Sequence, residues 1–520
     1  MSLYRNFLSV GGLTLLSRVA GFVRDALMAA VLGTGPAADA FFAAFRFPNL
    51  FRRLFAEGAF NTAFVPMFSG ALETRGREQA RALAARIMAW LVAALAIITV
   101  LAEIFMPFVL IPFVPGFTDE PEKFELTVLL TRILFPYLAC MSLAAAYGAI
   151  LNSLGRYFAA AFAPVFLNIV TIAALVPMTI WTIEDPARNT VILAFATIIA
   201  GLAQLAVVFG AARRAGMAPR FALPRLDPEV RRFWLLAVPA VLTGGITQIN
   251  IFVGTIIASG AASAISYLYY ADRLYQLPLG IIGIAIGTVL LPELARHLKG
   301  ERHEQARASQ EQSLLVAMLL SMPAATALAA LAVPIVRVLF ERGAFDAVAT
   351  LESARALIGF AIGLPAFVLI RVLQPGYFAR EDTLTPTLFA AASAVANIAI
   401  SLALFPVLEH VGIALATSIS AWLNAALLGA FLARRGHFVP TGPEWRRFGM
   451  IVLVSLVMGA ALYVLGERAS GIFAAGGNLA LQALVLAVLI AFGLWAYFTL
   501  VHITRVQPMG LLLRRLRRGA

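Results

Sequence analysis

The sequence predicts an all-α polytopic membrane protein, built from two pseudo-symmetric six-helix lobes plus two C-terminal helices around a central cavity. Three observations favour this fold class. Apolar runs of about 20 residues recur along the chain, basic residues alternate between successive connections, and several segments repeat at a nearly constant spacing. Of the 520 residues, 61% are hydrophobic and 13% are charged, which is too little charge to cover a soluble protein of this size.

The apolar runs predict about 14 transmembrane helices, since a run of about 20 residues crosses a hydrocarbon core of about 30 Å. The first run carries internal charges and lacks a small-residue cleavage sequence, so we interpret it as a retained helix rather than a signal peptide. In chain order the predicted spans are 7–32, 38–68, 84–111, 127–152, 158–180, 190–212, 233–258, 264–295, 312–336, 353–376, 384–407, 411–433, 447–466 and 477–503.

Basic residues predict the orientation of these helices. The connections on one side, together with both chain ends, carry 26 Lys and Arg residues, whereas the connections on the other side carry 5. Because Lys and Arg accumulate in cytoplasmic connections, both termini are expected in the cytoplasm. This placement accounts for the net charge of +13, so no nucleic-acid partner is expected. The five residues on the outer side are Lys123, Arg188, Arg337, Arg342 and Arg468.

Internal repeats predict two homologous halves. The segment "NIVTIAALVP", which begins at Asn168, returns as "NIAISLALFP" from Asn397. The segment "AFNTAFVP" from Ala59 returns as "AIGTVLLP" from Ala285, at nearly the same spacing along the chain. A spacing that spans an even number of helices predicts parallel halves related by an axis along the membrane normal. The predicted domains are a lobe at 1–220, a lobe at 221–440, and two appended helices with a basic tail at 441–520.

Nine arginines lie inside the predicted helices, and five of these fall early in the chain, at or before Arg53. An arginine at the centre of a membrane helix costs about 2.5–3.5 kcal/mol, so five facing lipid would cost on the order of 12–18 kcal/mol. We therefore expect these side chains to face protein or water. The nine are Arg18, Arg24, Arg46, Arg52, Arg53, Arg132, Arg273, Arg355 and Arg371.

The first helix is predicted to carry one polar arc. Residues seven apart share a helix face to within about 20°, which aligns Ser17 with Arg24 and Arg18 with Asp25. The two pairs occupy neighbouring stripes, so together they form an arc of roughly 120°.

The second apolar run adds further charges to the first half. Its sequence, "DAFFAAFRFPNLFRRLFAEGAFNTAFVP", is too long for a straight crossing, so a bend is expected at Pro48 or Gly58. In the second half, "YYADRLYQLP" supplies Asp272 and Arg273 at the homologous place. Some of these charges could simply pair, as Asp272 with Arg273 or Arg53 with Glu57. The charged residues of the second run are Asp39, Arg46, Arg52, Arg53 and Glu57.

The surplus of arginine over acid in the first two helices indicates a need for water or an anion. An arginine fork matches the geometry of phosphate or carboxylate with two parallel hydrogen bonds, so a cavity lined by such forks suits a phosphorylated head group. The sequence has no Walker loop, no HExxH motif and no Ser/His/Asp arrangement, and its five histidines lie at helix ends or in connections. These patterns favour a transporter over an enzyme, and no metal or cofactor is expected.

Four segments closely resemble the MviN/MurJ family of lipid II flippases, within the MOP exporter superfamily. They are "LTLLSRVAGFVRDALMAAVLG", "DAFFAAFRFPNLFRRLFAEGAFNTAFVP", "YYADRLYQLPLGIIGIAIGTVLLPELA" and "LFERGAF". The resemblance implies a two-lobed fold that moves an undecaprenyl-pyrophosphate-linked disaccharide pentapeptide from the inner to the outer leaflet by alternating access. The two extra helices would then form a groove for the lipid tail.

The resemblance also implies site residues. Functional arginines and an aspartate of the family match Arg18, Arg24, Arg52, Arg273 and Asp39 here, and the polar arc adds Ser17, so these six are the candidate substrate-binding residues. Candidates for coupling or gating are Asp25, Glu57 and Asp272. Asp25 has two interpretations, namely pairing with the stripe of Arg18 or resetting the cavity between cycles.

One departure bears on energy coupling. Some relatives bind sodium near an acidic residue on the seventh helix, whereas "QINIFVGTIIAS" has Gly254 at that place and no acid in the helix. Sodium coupling is therefore not expected, and protons or the membrane potential remain as alternatives. The expected partners are lipid II, the membrane and cell-wall synthesis proteins. The expected protein is a monomer in the bacterial inner membrane.

Two other functions are kept as alternatives. A same-fold exporter of drugs or small organic ions would be expected to depend on acidic cavity residues rather than on arginines, and a same-fold exporter of other polyprenyl-linked glycans is kept beside it. A transport-inactive scaffold or lipid receptor would carry a soluble extension, whereas this sequence ends at Ala520 directly after its basic tail.

Overall fold

A computed structural model describes residues 3–53, 60–181, 185–219, 222–437, 442–474 and 476–504 of the chain. Within these ranges every regular element is a helix, and nine helical stretches are long and apolar enough to cross a membrane. The prediction of an all-α membrane protein is confirmed, whereas the count of fourteen spans stays a prediction. The helices are α1 Leu3–Leu32, α2 Pro36–Phe51, α3 Asn61–Leu110, α4 Pro121–Leu134, α5 Tyr137–Ser153, α6 Phe158–Trp181, α7 Pro186–Arg214, α8 Pro228–Ala258, α9 Ala264–Lys299, α10 His303–Ala330, α11 Ala332–Phe340, α12 Ala347–Phe378, α13 Leu384–Arg434, α14 Gly442–Arg468 and α15 Leu479–Ile503.

The helices differ from the predicted spans where proline or an irregular residue interrupts them. The predicted span 127–152 is two helices, because Pro136 cannot donate a backbone hydrogen bond at the junction of α4 and α5. Two long helices continue through predicted connections but are kinked within them, α3 at Gly76 with φ 79° and α13 at Glu409 with φ 46°. The short helix α11 lies where the sequence predicts the end of one span and a connection.

Several connections are closed by side chains that cap the next helix. Asp185, Asp227 and Asp346 each accept hydrogen bonds from backbone N–H groups in the first turn of α7, α8 and α12. Before α13, the Thr385 backbone N–H and hydroxyl donate to Asp382. The Thr385 backbone N–H is the main cause of a lowered pKa for this carboxyl, and Arg435 adds to the effect.

The described residues fall into two compact units. The first comprises Met1–Ser266 with Arg342–Phe345, and the second comprises Tyr267–Glu341 with Asp346–Ala520. The first unit therefore includes α8, which the predicted boundary at residue 220 assigns to the second lobe. The predicted domain boundaries stay predictions. The two units are groups of residues that pack together, whereas the predicted lobes are defined by the sequence repeat.

Salt bridges and aromatic rings attach α8 to the first unit. Glu229 pairs with both Arg75 and Arg86 of α3, and Arg86 also lies 3.2 Å from Asp227. Behind them, the stacked rings of Phe60, Phe64 and Phe68 form an apolar core, and Phe233 of α8 packs against it. These contacts explain why the chain packs as one unit beyond the predicted lobe boundary.

The second unit is packed through small residues. On α12, a Cβ at Gly363 would lie 2.4 Å from Ser418 Oγ of α13, so only glycine permits this approach. The two C-terminal helices pack against α10: a Cβ at Gly459 would lie 3.0 Å from Thr326, and the Tyr497 hydroxyl donates to the Leu319 carbonyl at 2.8 Å.

Two close backbone approaches in the first unit occupy positions related by the sequence repeat. A Cβ at Gly116 would lie 2.2 Å from the Ser259 carbonyl oxygen, and a Cβ at Gly343 would lie 2.3 Å from the Ala30 carbonyl oxygen. The spacing between the two glycines, and that between their two partners, nearly equals the spacing of the repeated segments in the sequence. Gly343 also has φ +58°, a conformation that favours glycine. The duplication thus reappears as a pair of equivalent contacts.

Candidate functional site

The polar arc of α1 meets α6 in the first unit, and Arg24 is its best-connected member. Its Nε and Nη2 donate to Asp25 Oδ1 at 3.0 and 2.8 Å, and its Nη1 donates to Asn168 Oδ1 at 3.1 Å. Only 13% of the Arg24 side chain is exposed, and only 6% of the Asp25 side chain. Asp25 therefore pairs with its direct neighbour Arg24. Neither interpretation from the sequence, pairing with the stripe of Arg18 or resetting the cavity, includes this contact.

Asn168 joins the two predicted members of one helix face. Its Nδ2 donates to the Ser17 carbonyl at 2.9 Å, while its Oδ1 accepts from Arg24. The predicted shared face of Ser17 and Arg24 agrees with this geometry, because a single side chain contacts both. The sequence marks Asn168 only as the start of a repeated segment, since the contact spans 144 residues. An amide in an otherwise apolar helix is the one signal that could have found it.

Arg18 faces open space. It lines a cavity of about 440 Å³ together with Ser17 and Thr14 of α1. The facing wall is formed by Asn152 of α5, Tyr157 and three small residues of α6, namely Ala160, Ala161 and Pro164. Within the described ranges, the Arg18 guanidinium has no hydrogen-bond or ion-pair partner. It is thus placed to accept an anion that enters this cavity.

Asp39 lies in a different setting, entirely buried at the start of α2. Its Oδ1 accepts from the Ser266 backbone N–H at 2.9 Å and from the Ser266 hydroxyl at 2.6 Å. Its Oδ2 lies 3.4 Å from Lys123 Nζ, and Lys123 also sits 4.0 Å from the centroid of the Phe117 ring. In this conformation the carboxylate ties α2 to its neighbours, and its predicted contact with substrate stays a prediction.

Lys123 is a residue whose role the sequence does not reveal. The charge pattern assigns it to an outer connection, where a lysine is expected to be solvated. The structure instead buries it, with 3% of its side chain exposed, between Asp39 and Glu120 of the same unit. A buried lysine requires a charged partner, and Asp39 supplies one.

The other arginines of the second apolar run have polar partners in the first unit. Arg46 Nη1 donates to the Thr255 hydroxyl at 2.6 Å, and Arg52 Nε donates to Asn49 Oδ1 at 3.2 Å. Glu57 lies outside the described residues, so its predicted role and its pairing with Arg53 stay predictions.

Two predicted residues lie in the second unit. The Arg273 guanidinium sits over the Tyr269 ring, 4.7 Å from its centroid, and Asp272 accepts from Gln276. A second arginine of this unit, Arg371, passes close to α9 at Gly283. A Cβ at Gly283 would lie 2.6 Å from Arg371 Cδ, so the missing side chain makes room for the arginine. Arg371 thus packs closely along α9.

Comparisons with known proteins identify the family. A family model described as lipid II flippase MurJ matches residues 28–484. A Rhizobium tropici protein described as a probable lipid II flippase MurJ is 48% identical over 520 residues, which is 100% of this chain and 97% of the relative. A solved lipid II flippase MurJ in an inward closed conformation is 25% identical with a TM-score of 0.78, and the match covers 95% of this chain and 98% of that one. An inward-facing multidrug resistance MATE transporter of the MOP superfamily, 14% identical with a TM-score of 0.63 over 89% of this chain and 99% of that one, shares the fold. This chain belongs to the MurJ family of lipid II flippases.

Proposed function

We propose that this chain moves lipid II, an undecaprenyl-pyrophosphate-linked peptidoglycan precursor, from the inner to the outer leaflet of the cytoplasmic membrane by alternating access. The family is one of transporters rather than enzymes, and the chain is a multi-pass membrane protein. One observation carries the proposal: Arg18 faces a cavity without a partner among the described residues, and it does so on the same helix as the connected Arg24. Its unpaired fork suits one phosphate of a pyrophosphate.

The proposal assigns roles to the candidate residues. Arg18 and Arg24 bind the pyrophosphate, and Ser17, Asp39, Arg52 and Arg273 are further substrate-binding residues. Coupling or gating falls to the acidic candidates Asp25, Glu57 and Asp272.

Orientation and assembly form a further part of the proposal. Both termini lie in the cytoplasm, because the strongly basic connections fall on that side. The protein acts as a monomer that meets cell-wall synthesis proteins at the membrane.

The test uses purified full-length protein in liposomes that contain lipid II labelled on its head group. Wild-type protein is expected to move the label to the opposite leaflet, and Arg18→Ala is expected to slow this by about tenfold or more, as for the loss of a hydrogen bond to a charged group. Arg355→Ala is the matched control, because Arg355 also lies on a predicted membrane helix but is 57% exposed and pairs with Glu352.

Two results would contradict the proposal. If Arg18→Ala moves lipid II at the wild-type rate, the cavity beside α1 does not receive the head group. If wild-type protein exports organic cations but leaves lipid II in place, the drug-exporter alternative is correct.

A further inference from the structure

The Arg24 fork is held along both of its edges. Asp25 accepts from Nε and Nη2, and Asn168 accepts from Nη1 on the opposite side. Bidentate recognition of phosphate needs a guanidinium plane in a fixed orientation, since the two donors must point at two oxygens together. Asp25 of α1 holds one edge of the Arg24 guanidinium, and Asn168 of α6 holds the other edge.

The orientation of the Asn168 amide is itself determined. Its Nδ2 donates to the Ser17 carbonyl at 2.9 Å, so its Oδ1 points at Arg24. The reverse orientation would bring an amide N–H against the Arg24 N–H and would leave the Ser17 carbonyl facing an acceptor. Because Asn168 is only 4% exposed, water does not readily replace either contact.

The neutrality of Asn168 matters as much as its position. Asp25 already places one negative charge on Arg24. A second carboxylate would leave the cluster of Arg24, Asp25 and residue 168 with a net negative charge, which repels phosphate. An amide holds the fork without adding a second negative charge beside it. We propose that Asn168 is a positioning residue that orients the Arg24 guanidinium toward the pyrophosphate of the substrate, an inference that rests on the proposed function.

Among the described residues, the charged and titratable groups around this cluster include members of α1 and α5, and Arg52, which follows α2, acts on Tyr137 as Arg24 does. Arg18, Arg24 and Asp25 belong to α1, and Tyr137 of α5 lies within electrostatic reach of Arg24. In the described part of the chain, α6 adds no acidic or basic side chain of its own. An acid introduced at position 168 would respond to Arg24, which contacts this position, and to Asp25, which pairs with Arg24.

The first test is the pH profile of Asn168→Asp, measured as lipid II translocation by the full-length protein in liposomes. A protonated acid can donate to the Ser17 carbonyl and accept from Arg24 as the amide does, whereas the ionised acid adds a second negative charge beside Arg24. As the pH falls from about 8 toward the ordinary aspartate pKa of about 3.9, the rate of the variant relative to wild type is expected to rise. Asn397→Asp is the matched control, because Asn397 is the repeat equivalent, is 6% exposed and accepts a hydrogen bond from the Ser401 hydroxyl. Its profile is expected to run parallel to that of wild type.

A double-mutant cycle provides a second, independent test. Asn168→Ala is expected to raise the apparent KM for lipid II by about tenfold, as for one hydrogen bond to a charged group, with little change in maximal rate. In an Arg24→Ala background the same change is expected to have no further effect, because Asn168 acts through Arg24.

The outcomes separate this inference from the proposed function. If Asn168→Asp and Asn397→Asp both run parallel to wild type, or if Asn168→Ala costs the same factor with and without Arg24, Asn168 does not position the fork. If wild-type protein moves no lipid II, the proposed function is wrong and this inference with it.

Discussion

At the scale of single residues, the charges buried in the first unit have specific partners. Arg24 pairs with Asp25 and Asn168, and Lys123 lies beside Asp39. A buried ion pair adds little net stability by itself, because both charges lose their hydration. Removing one partner is far more costly, since it leaves the other charge buried and uncompensated.

The Lys123 and Asp39 pair provides a test of this view. Lys123→Met is expected to destabilise the protein by about 3–5 kcal/mol, because the Asp39 carboxylate is then buried without its cation. Adding Asp39→Asn is expected to restore much of that stability. The measurement is thermal unfolding of the purified protein in detergent. Lys299→Met is the control, because Lys299 is the only other lysine and is exposed. Equal melting temperatures for the two lysine variants would show that the pair contributes nothing.

Residue-level prediction from the sequence succeeds where the contact is local and fails where it is distant. Helical geometry aligns Ser17 with Arg24 because only the 100° step of one helix is needed. The partner that joins them, Asn168, lies 144 residues beyond Arg24 and cannot be derived from periodicity. The burial of Lys123 could not be predicted for the same reason, since charge counting has no information about its partner Asp39, which lies on a different helix far away in the sequence.

At the scale of elements, the helices lie where the apolar pattern predicts them. Two of their connections pack closely against the backbone of other segments. The kinks at Gly76 and Glu409 fall in predicted connections, whereas the break at Pro136 and the one between α10 and α11 fall inside predicted spans. The repeat predicted from short segments reappears as the equivalent approaches of Gly116 to Ser259 and of Gly343 to Ala30. Sequence similarity could indicate the duplication, but it could not indicate that these particular glycines touch backbone.

Gly116→Ala tests the closeness of that packing. An added Cβ would lie 2.2 Å from the Ser259 carbonyl oxygen, so the connection must move, and the hydrogen bond from the Gly116 N–H to Ser259 Oγ at 3.2 Å is expected to be lost. We expect a destabilisation of about 1–3 kcal/mol, as for other overpacked sites, measured by thermal unfolding. Gly35→Ala is the matched control, because Gly35 also precedes a helix but has no atom within 4 Å of the added Cβ. A Gly116→Ala protein as stable as the control would contradict the packing described.

At the scale of the whole molecule, hydropathy and charge alternation predict the membrane fold, because the bilayer imposes a simple rule on helix length and on basic connections. Function depends on a smaller set of residues. The excess of arginine over acid in the first two helices indicates an anionic substrate, and membership of the MurJ family agrees with it. The central claim is that Arg24 acts as a bidentate fork for pyrophosphate rather than as a positive charge alone.

The most direct measurement of that claim compares Arg24→Lys with Arg24→Ala in cells depleted of the native protein. Lysine keeps the charge but lacks the planar pair of donors. If the fork binds pyrophosphate, Arg24→Lys is expected to rescue growth and lipid II translocation poorly, close to the level of Arg24→Ala, at equal protein abundance. Full rescue by lysine would contradict the account, because it would mean that charge alone is sufficient at this position.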